Sequence, residues 1–369
     1  MTNYGFEELE AFFRTNDFPS IEGDIRGFRF LKLRSMSRRD AMEQFCELHQ
    51  INIENISSRQ YLKHVFELNN IEETSIDEFI NLNYQIERGA RRERENYLVD
   101  QLRRLQYFDW GGSFGNSLEK NIVDNYVKKI QSYDEINSEI ESNLLNSLRG
   151  YTLNSWYNHW TSILIEDIFK DHEKVLPTIG LVKKIDFFIN NIPFDLKVTY
   201  FPEQLMKEKL RENGYGNELT QLKRICRNLQ IFIPADLKDE ALKMHLYNIV
   251  LEDQREEARN FITALKTAKK EIISEAENNP NELKVWLYEN QGEARFDASN
   301  RFFLILVDEN DIKNSWRLKR NIDFLRDNIN MHFDNLPADM SNLDTTFYWS
   351  KDGQTYHCKS DILFIKYTE

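Results

Sequence analysis

Apolar positions recur along this chain with two different periods, and the change from one to the other divides it. From Asn3 to about Gly150 they return every three or four residues. Leu62, Val65, Phe66 and Leu68 show it, as do Ile122, Val123, Tyr126, Val127 and Ile130, and this is the stripe of amphipathic helices. Beyond Gly150, helix and strand patterns alternate. Asn154 or Ser155 is placed to cap a helix reaching about Asp171, with Trp156, Trp160, Ile163, Leu164 and Ile168 as its buried stripe. A strand-like block follows over 182–200. Next comes a charged helical stretch over 203–277, broken near 213–216 and 231–235. The uninterrupted apolar run 302–307 has the length and composition of a buried strand. A helix over about 315–333 and two strands, 345–350 and 361–367, close the chain. The pattern predicts a helical region over 1–150. It also predicts an α/β (α+β) core over 151–369, with a central mixed sheet flanked by helices and a helical insertion at about 203–277.

Composition supports a folded protein: 41% of the 369 residues are hydrophobic and 13% aromatic, which is enough to build a core. No run approaches the about 18 apolar residues that a membrane helix needs, and the first residues are acidic rather than basic and apolar. The expectation is a cytoplasmic protein with no membrane contact. Cys46, Cys226 and Cys358 are odd in number and lack metal-site spacing, so they read as buried thiols. The net charge of −13 argues against a chain that wraps nucleic acid over its whole surface, yet local runs differ. Arg26, Arg29, Lys32, Arg34, Arg38 and Arg39 follow one another with no acid between them and are the first candidates for phosphate contact. A second run, Arg88, Arg91, Arg92, Arg94, Arg103 and Arg104, is interleaved with Glu87, Glu93, Glu95 and Asp100.

The segment that carries chemistry is Lys184-Ile-Asp186-Phe-Phe-Ile-Asn190-Asn191-Ile-Pro193-Phe-Asp195-Leu-Lys197. Asn tolerates the positive φ of a two-residue hairpin turn. With Asn190 and Asn191 as that turn, Ile189 pairs with Ile192, Phe188 with Pro193, Phe187 with Phe194, and Asp186 with Asp195. Two carboxylates then face each other, a repulsive pairing that a cation between them would relieve; oxygen ligands of this kind suit Mg2+. Strand alternation puts Lys197 on the face of Asp195. Glu166, on the preceding helix, is a candidate for a further metal ligand. A register slipped by one residue would scatter these groups.

An acid-bearing helix, a strand with Asp186 and a strand with Asp195-Leu-Lys197 together resemble the PD-(D/E)xK nuclease superfamily, and most of all its type II restriction endonucleases. The resemblance covers about 154–199 well and the later strands in outline. Ile185 stands where the motif has Pro, and the second acid is Asp rather than Glu. It implies a Mg2+-dependent site-specific endonuclease acting on double-stranded DNA as a homodimer, with Asp186, Asp195, Lys197 and Glu166 catalytic and the three acids on the metal. A repair, recombination or mobile-element nuclease of the same fold is the alternative within enzymes; a non-catalytic helical interaction protein is the alternative outside them. Gln291, Arg295 and Arg301, in a stretch rich in amide, aromatic and guanidinium groups, are further candidates for DNA contact. No Walker loop is present, so ATP dependence is not expected.

Overall fold

The computed structural model describes residues 2–107, 122–182, 185–237, 239–290, 300–337, 340–349 and 353–368. It is an α/β protein: a helical N-terminal region leads into a six-stranded mixed sheet with helices between the strands. The strands are β1 (Val175–Val182), β2 (Ile185–Ile189), β3 (Ile192–Tyr200), β4 (Arg301–Asp308), β5 (Asp344–Trp349) and β6 (Gln354–Tyr367). Their order across the sheet is β1-β2-β3-β4-β6-β5. β1 to β3 form an antiparallel meander, β3, β4 and β6 run parallel, and β5 closes the far edge antiparallel to β6.

Continuous apolar sequence places β4 at the centre. Phe302, Leu304 and Leu306 pack into a core on one face and Phe303, Ile305 and Val307 into a core on the other, all with no exposure. A strand covered on both sides has no need of polar alternation.

The helical region consists of α1 (Phe6–Thr15), α2 (Phe18–Glu22), α3 (Gly27–Ser35), α4 (Arg39–Leu48), α5 (Tyr61–Glu67), the long α6 (Glu73–Arg103), α7 (Tyr133–Glu139) and α8 (Leu145–Lys170). It is not set apart from the sheet. Its core includes Ile179, Ile185 and Phe188 of β1 and β2. α6 contributes to two cores, with Ile76, Phe79, Ile80 and Tyr84 in this one and Val99 and Leu102 in the core beneath the sheet.

Three expectations change. The boundary at Gly150 falls inside α8, which starts at Leu145 with no cap at Asn154 or Ser155; Asn154 is buried at 1% exposure. β1 begins at Val175, well before the expected strand block. Its Pro177 and Gly180 disguise it, but Pro is tolerated on an edge strand. Gly180 is required, because a Cβ there would stand 2.6 Å from the Ser35 carbonyl oxygen at the end of α3. Finally, the helix expected over about 315–333 is two elements, a 3-10 helix over Ile312–Arg320 and an α-helix after it. After β3 the chain forms α9 (Glu203–Glu212), α10 (Glu218–Asn228), α11 (Asp239–Glu252), α12 (Glu256–Asn278) and α13 (Pro280–Asn290), then returns as β4; α14 (Ile322–Asp334) packs below the sheet. The breaks in the insertion fall as read, with Gly214, Gly216 and Gln230 at positive φ. Among the described residues no helix is long and apolar enough to cross a membrane, and the three cysteines are buried free thiols.

Candidate active site

The β2–β3 hairpin has the register the residues predict. Asn190 and Asn191 adopt φ of 48° and 68°, and Ile189↔Ile192, Phe188↔Pro193 and Phe187↔Phe194 are paired. The regular pairing ends there. Asp186 and Asp195 are therefore not a backbone-paired couple: the Asp186 carboxylate takes the place of a ladder partner, its Oδ2 accepting the Leu196 amide at 2.7 Å. From the opposite side β3 is held by β4, with the Asp195 amide donating to the Asn300 carbonyl at 2.9 Å. The site lies where β3 parts from one neighbour and joins the next.

Asp195 is 7% exposed. Lys197 Nζ sits 2.6 Å from its Oδ1, and Arg301 Nε, 3.7 Å from its Oδ2, approaches from the neighbouring position on β4. The Lys197 side chain is 42% exposed and forms the open side of the cluster. α8 supplies Glu166 and, one turn later, Lys170, whose Nζ lies 2.6 Å from Glu166 Oε1. Lys170 also donates to the Thr178 carbonyl and hydroxyl, both at 3.2 Å, and that hydroxyl donates to the Asp186 carbonyl at 2.8 Å. One chain of contacts thus joins helix, β1 and β2.

The electrostatics tie the three acids together. Burial pushes the Asp186 carboxyl up to about 6, the negative charges of Glu166 and then Asp195 push in the same direction, and the Leu196 amide and Lys170 oppose them. Hard carboxylate oxygens crowded in this way fit a hard divalent cation, which would remove the repulsion. Among the described residues, however, no group of three or more His, Cys, Asp or Glu stands close enough to hold an ion as the side chains are placed. Lys170 and Lys197 occupy oxygens of Glu166 and Asp195 instead, and both would have to yield them.

The expected DNA-contacting residues separate. Arg29 is buried and donates to the Ile71, Val65 and Leu68 carbonyls; Lys32, 1% exposed, pairs with Asp77 and Glu73. For these two the phosphate reading is corrected: α3 is packed on most sides, and its cations neutralise local oxygens. Arg26 donates to the Tyr4 carbonyl and stacks on Phe66, and Arg34 pairs with Glu10 over Phe13. Only Arg38 and Arg39 reach well into solvent, at 43% and 74% side-chain exposure, paired with Glu87 and Glu43. The DNA-contact reading of Arg301 is corrected as well. That residue opens β4 at 4% exposure, its guanidinium over the Tyr288 ring and facing Asp195. Gln291 and Arg295 lie outside the described residues.

Sequence reasoning missed Lys170, Thr178 and Asn300. The first had a signal, since Glu166 and Lys170 stand four apart on one helix and must be neighbours. Asn300 and Arg301 had none, because they reach β3 only after the whole helical excursion. No protein-family model, curated protein or solved structure matches this chain.

Proposed function

We propose that this chain is a Mg2+-dependent endonuclease that hydrolyses phosphodiester bonds of double-stranded DNA at defined sites, in the manner of type II restriction enzymes. One observation carries the reading. An acid on a helix, an acid on a strand and an Asp-x-Lys on the next strand lie within electrostatic reach of one another where that strand leaves its partner, and one of the acids is pushed up to about 6 by burial and by the other two.

Asp186, Asp195 and Glu166 would hold the ion, which when bound supplies Lewis-acid stabilisation of charge on the phosphoryl oxygens. The Leu196 amide keeps Asp186 Oδ2 fixed while this happens. Lys197 Nζ, released from Asp195 Oδ1, donates a hydrogen bond to the attacking water and orients its lone pair towards phosphorus. Arg301 remains behind Asp195 and limits how far its carboxylate can turn. Cutting both strands takes two such sites, so two copies of the chain act together.

The test is cleavage of a panel of plasmid and phage DNAs by the wild type and by Lys197→Ala, each with Mg2+ and with EDTA. Discrete fragments, lost in EDTA and in the variant, are expected. Intact DNA with the wild type, or equal cutting by the variant, overturns the assignment. Removing a group that acts on the transition state costs about 100- to 1,000-fold in rate, well outside assay error.

A further inference from the structure

A polar cleft of about 530 Å3 opens between α2 and the strands β5 and β6. Glu22, Asn300, Asp344, Thr346, His357 and Lys359 line it. None of the site carboxylates lines it, but it begins one residue along the strands from them. Register puts Asp195 beside Arg301 and Arg301 beside Ser360, and Asn300 and Lys359 each precede that row by one residue.

Asn300, 4% exposed, connects the two. Its carbonyl accepts the Asp195 amide at 2.9 Å, and its Oδ1 accepts the Lys359 amide at 2.7 Å. Its Nδ2 donates to Glu22 Oε1 at 2.9 Å and to the Pro193 carbonyl at 3.1 Å. Glu22 is thus hydrogen-bonded by a neutral amide; the Lys359 ammonium, paired with Asp344 at 2.6 Å, favours its charge only from a distance. Burial pushes the Glu22 carboxyl up to about 7. Burying a carboxyl without a partner of opposite charge is costly, and an apolar side chain would fill the place at less expense.

We propose that this cleft seats one unpaired nucleobase of the DNA strand next to the scissile phosphate, a base carrying an exocyclic amine, with Glu22 accepting from that amine. The proposal rests on the nuclease reading for the identity of the polymer. The volume falls within the about 300–1,000 Å3 of small-ligand sites. Once ionised, above about pH 7, the Glu22 carboxylate accepts from cytosine N4, whereas thymine presents a carbonyl oxygen at the equivalent position and meets it acceptor to acceptor. An extruded base fits such a cleft as it does in other enzymes that draw a base from the stack.

The test is binding of labelled single-stranded oligodeoxycytidine and oligothymidine in EDTA at about pH 8, where Glu22 is ionised, read by fluorescence anisotropy for the wild type, Glu22→Gln and Arg92→Ala. The wild type should bind oligodeoxycytidine about tenfold more tightly, the low end of what one base-edge contact discriminates. Glu22→Gln keeps an acceptor for Asn300, so it should fold, and should lose the preference; Arg92→Ala, an exposed change outside the cleft and the site, should keep it. Equal binding by the wild type, or a preference that survives in Glu22→Gln, overturns the proposal. Preference without cleavage would sink the nuclease reading and leave the cleft assignment standing. Cleavage without preference would do the reverse.

Discussion

Glu166 and Asp167 are consecutive on α8 yet belong to two charge clusters of different kinds. Asp167 and, one turn on, Asp171 enter a network with α6 and α14. Arg88 binds Asp171 through Nε and Nη2 and Glu95 through Nη2; Arg91 grips both oxygens of Asp167, and Arg326 reaches Glu95 and Asp171. Every carboxylate there meets a guanidinium, and Asp171 is held below its ordinary range by Arg88 and Arg92 and by the Tyr84 hydroxyl, despite burial. Glu166 and Lys170 enter the other cluster. There the Asp186 carboxylate accepts from the Leu196 backbone amide and from no guanidinium or ammonium among the described residues, and it is displaced upwards. Burial acts on both. The difference is whether a guanidinium binds the buried carboxylate directly, as at Asp171, or cations act on it only from neighbouring acids, as at Asp186; a displaced carboxylate of the second kind is what the proposed function uses.

The comparison breaks most readily at Arg88. Its side chain is 1% exposed, so Arg88→Met leaves Asp171 and Glu95 without their central partner and should cost about 3–5 kcal/mol in chemical denaturation at neutral pH. A loss below about 1 kcal/mol would show that the network is not structural.

At the other cluster the sign should invert. Below about pH 4 Asp186 holds its proton in both states. Between there and its folded value of about 6 only the unfolded chain releases the proton, so stability falls as pH rises and stays low above that range. The span corresponds to about 3 kcal/mol at most. Asp186→Asn should abolish that slope and leave the protein at least as stable as the wild type at neutral pH. Glu22, pushed up to about 7, adds a slope of the same sign, so the quantity to read is wild type minus variant. Identical pH profiles would mean that Asp186 carries no such displacement.

Mg2+ sharpens the contrast further. An ion that binds only the folded state stabilises it by about 2.7 kcal/mol at a hundredfold excess over its Kd. The thermal midpoint should rise with Mg2+ in the wild type and in Arg92→Ala but not in Asp195→Asn. A rise of equal size in Asp195→Asn would place the ion elsewhere.

How much of this was legible follows from where each signal resides. The hairpin was, because the Asn-Asn turn and the alternation around it are local, and so was β4, because a strand covered on both faces is apolar throughout. β1 was not: its Pro177 and Gly180 make sense only with an edge position and with α3 pressed against it. The basic run over 26–39 read as one surface because sequence shows charge and not burial. Arg29 and Lys32 spend theirs on carbonyls and acids brought in from α5 and α6 and the turn between them. The division of α8 between the arginine network and the Asp186 cluster was half visible. Glu166 with Lys170 and Asp167 with Asp171 share spacings of four, but the partners that give each pair its character come from other elements.

Arg92 supplies the finest distinction. It also touches Asp171, at 3.2 Å, but its side chain is 53% exposed, and water can replace it where no water reaches Arg88. Arg92→Ala should therefore change stability by no more than about 0.5 kcal/mol, the range of an exposed pair. If it cost as much as Arg88→Met, the network would act as a ring in which every member is needed. Asp171 would then owe its low pKa to the whole set and not to the buried guanidinium, and the contrast with Asp186 would turn on the number of cations around a carboxylate instead of on one enclosed contact.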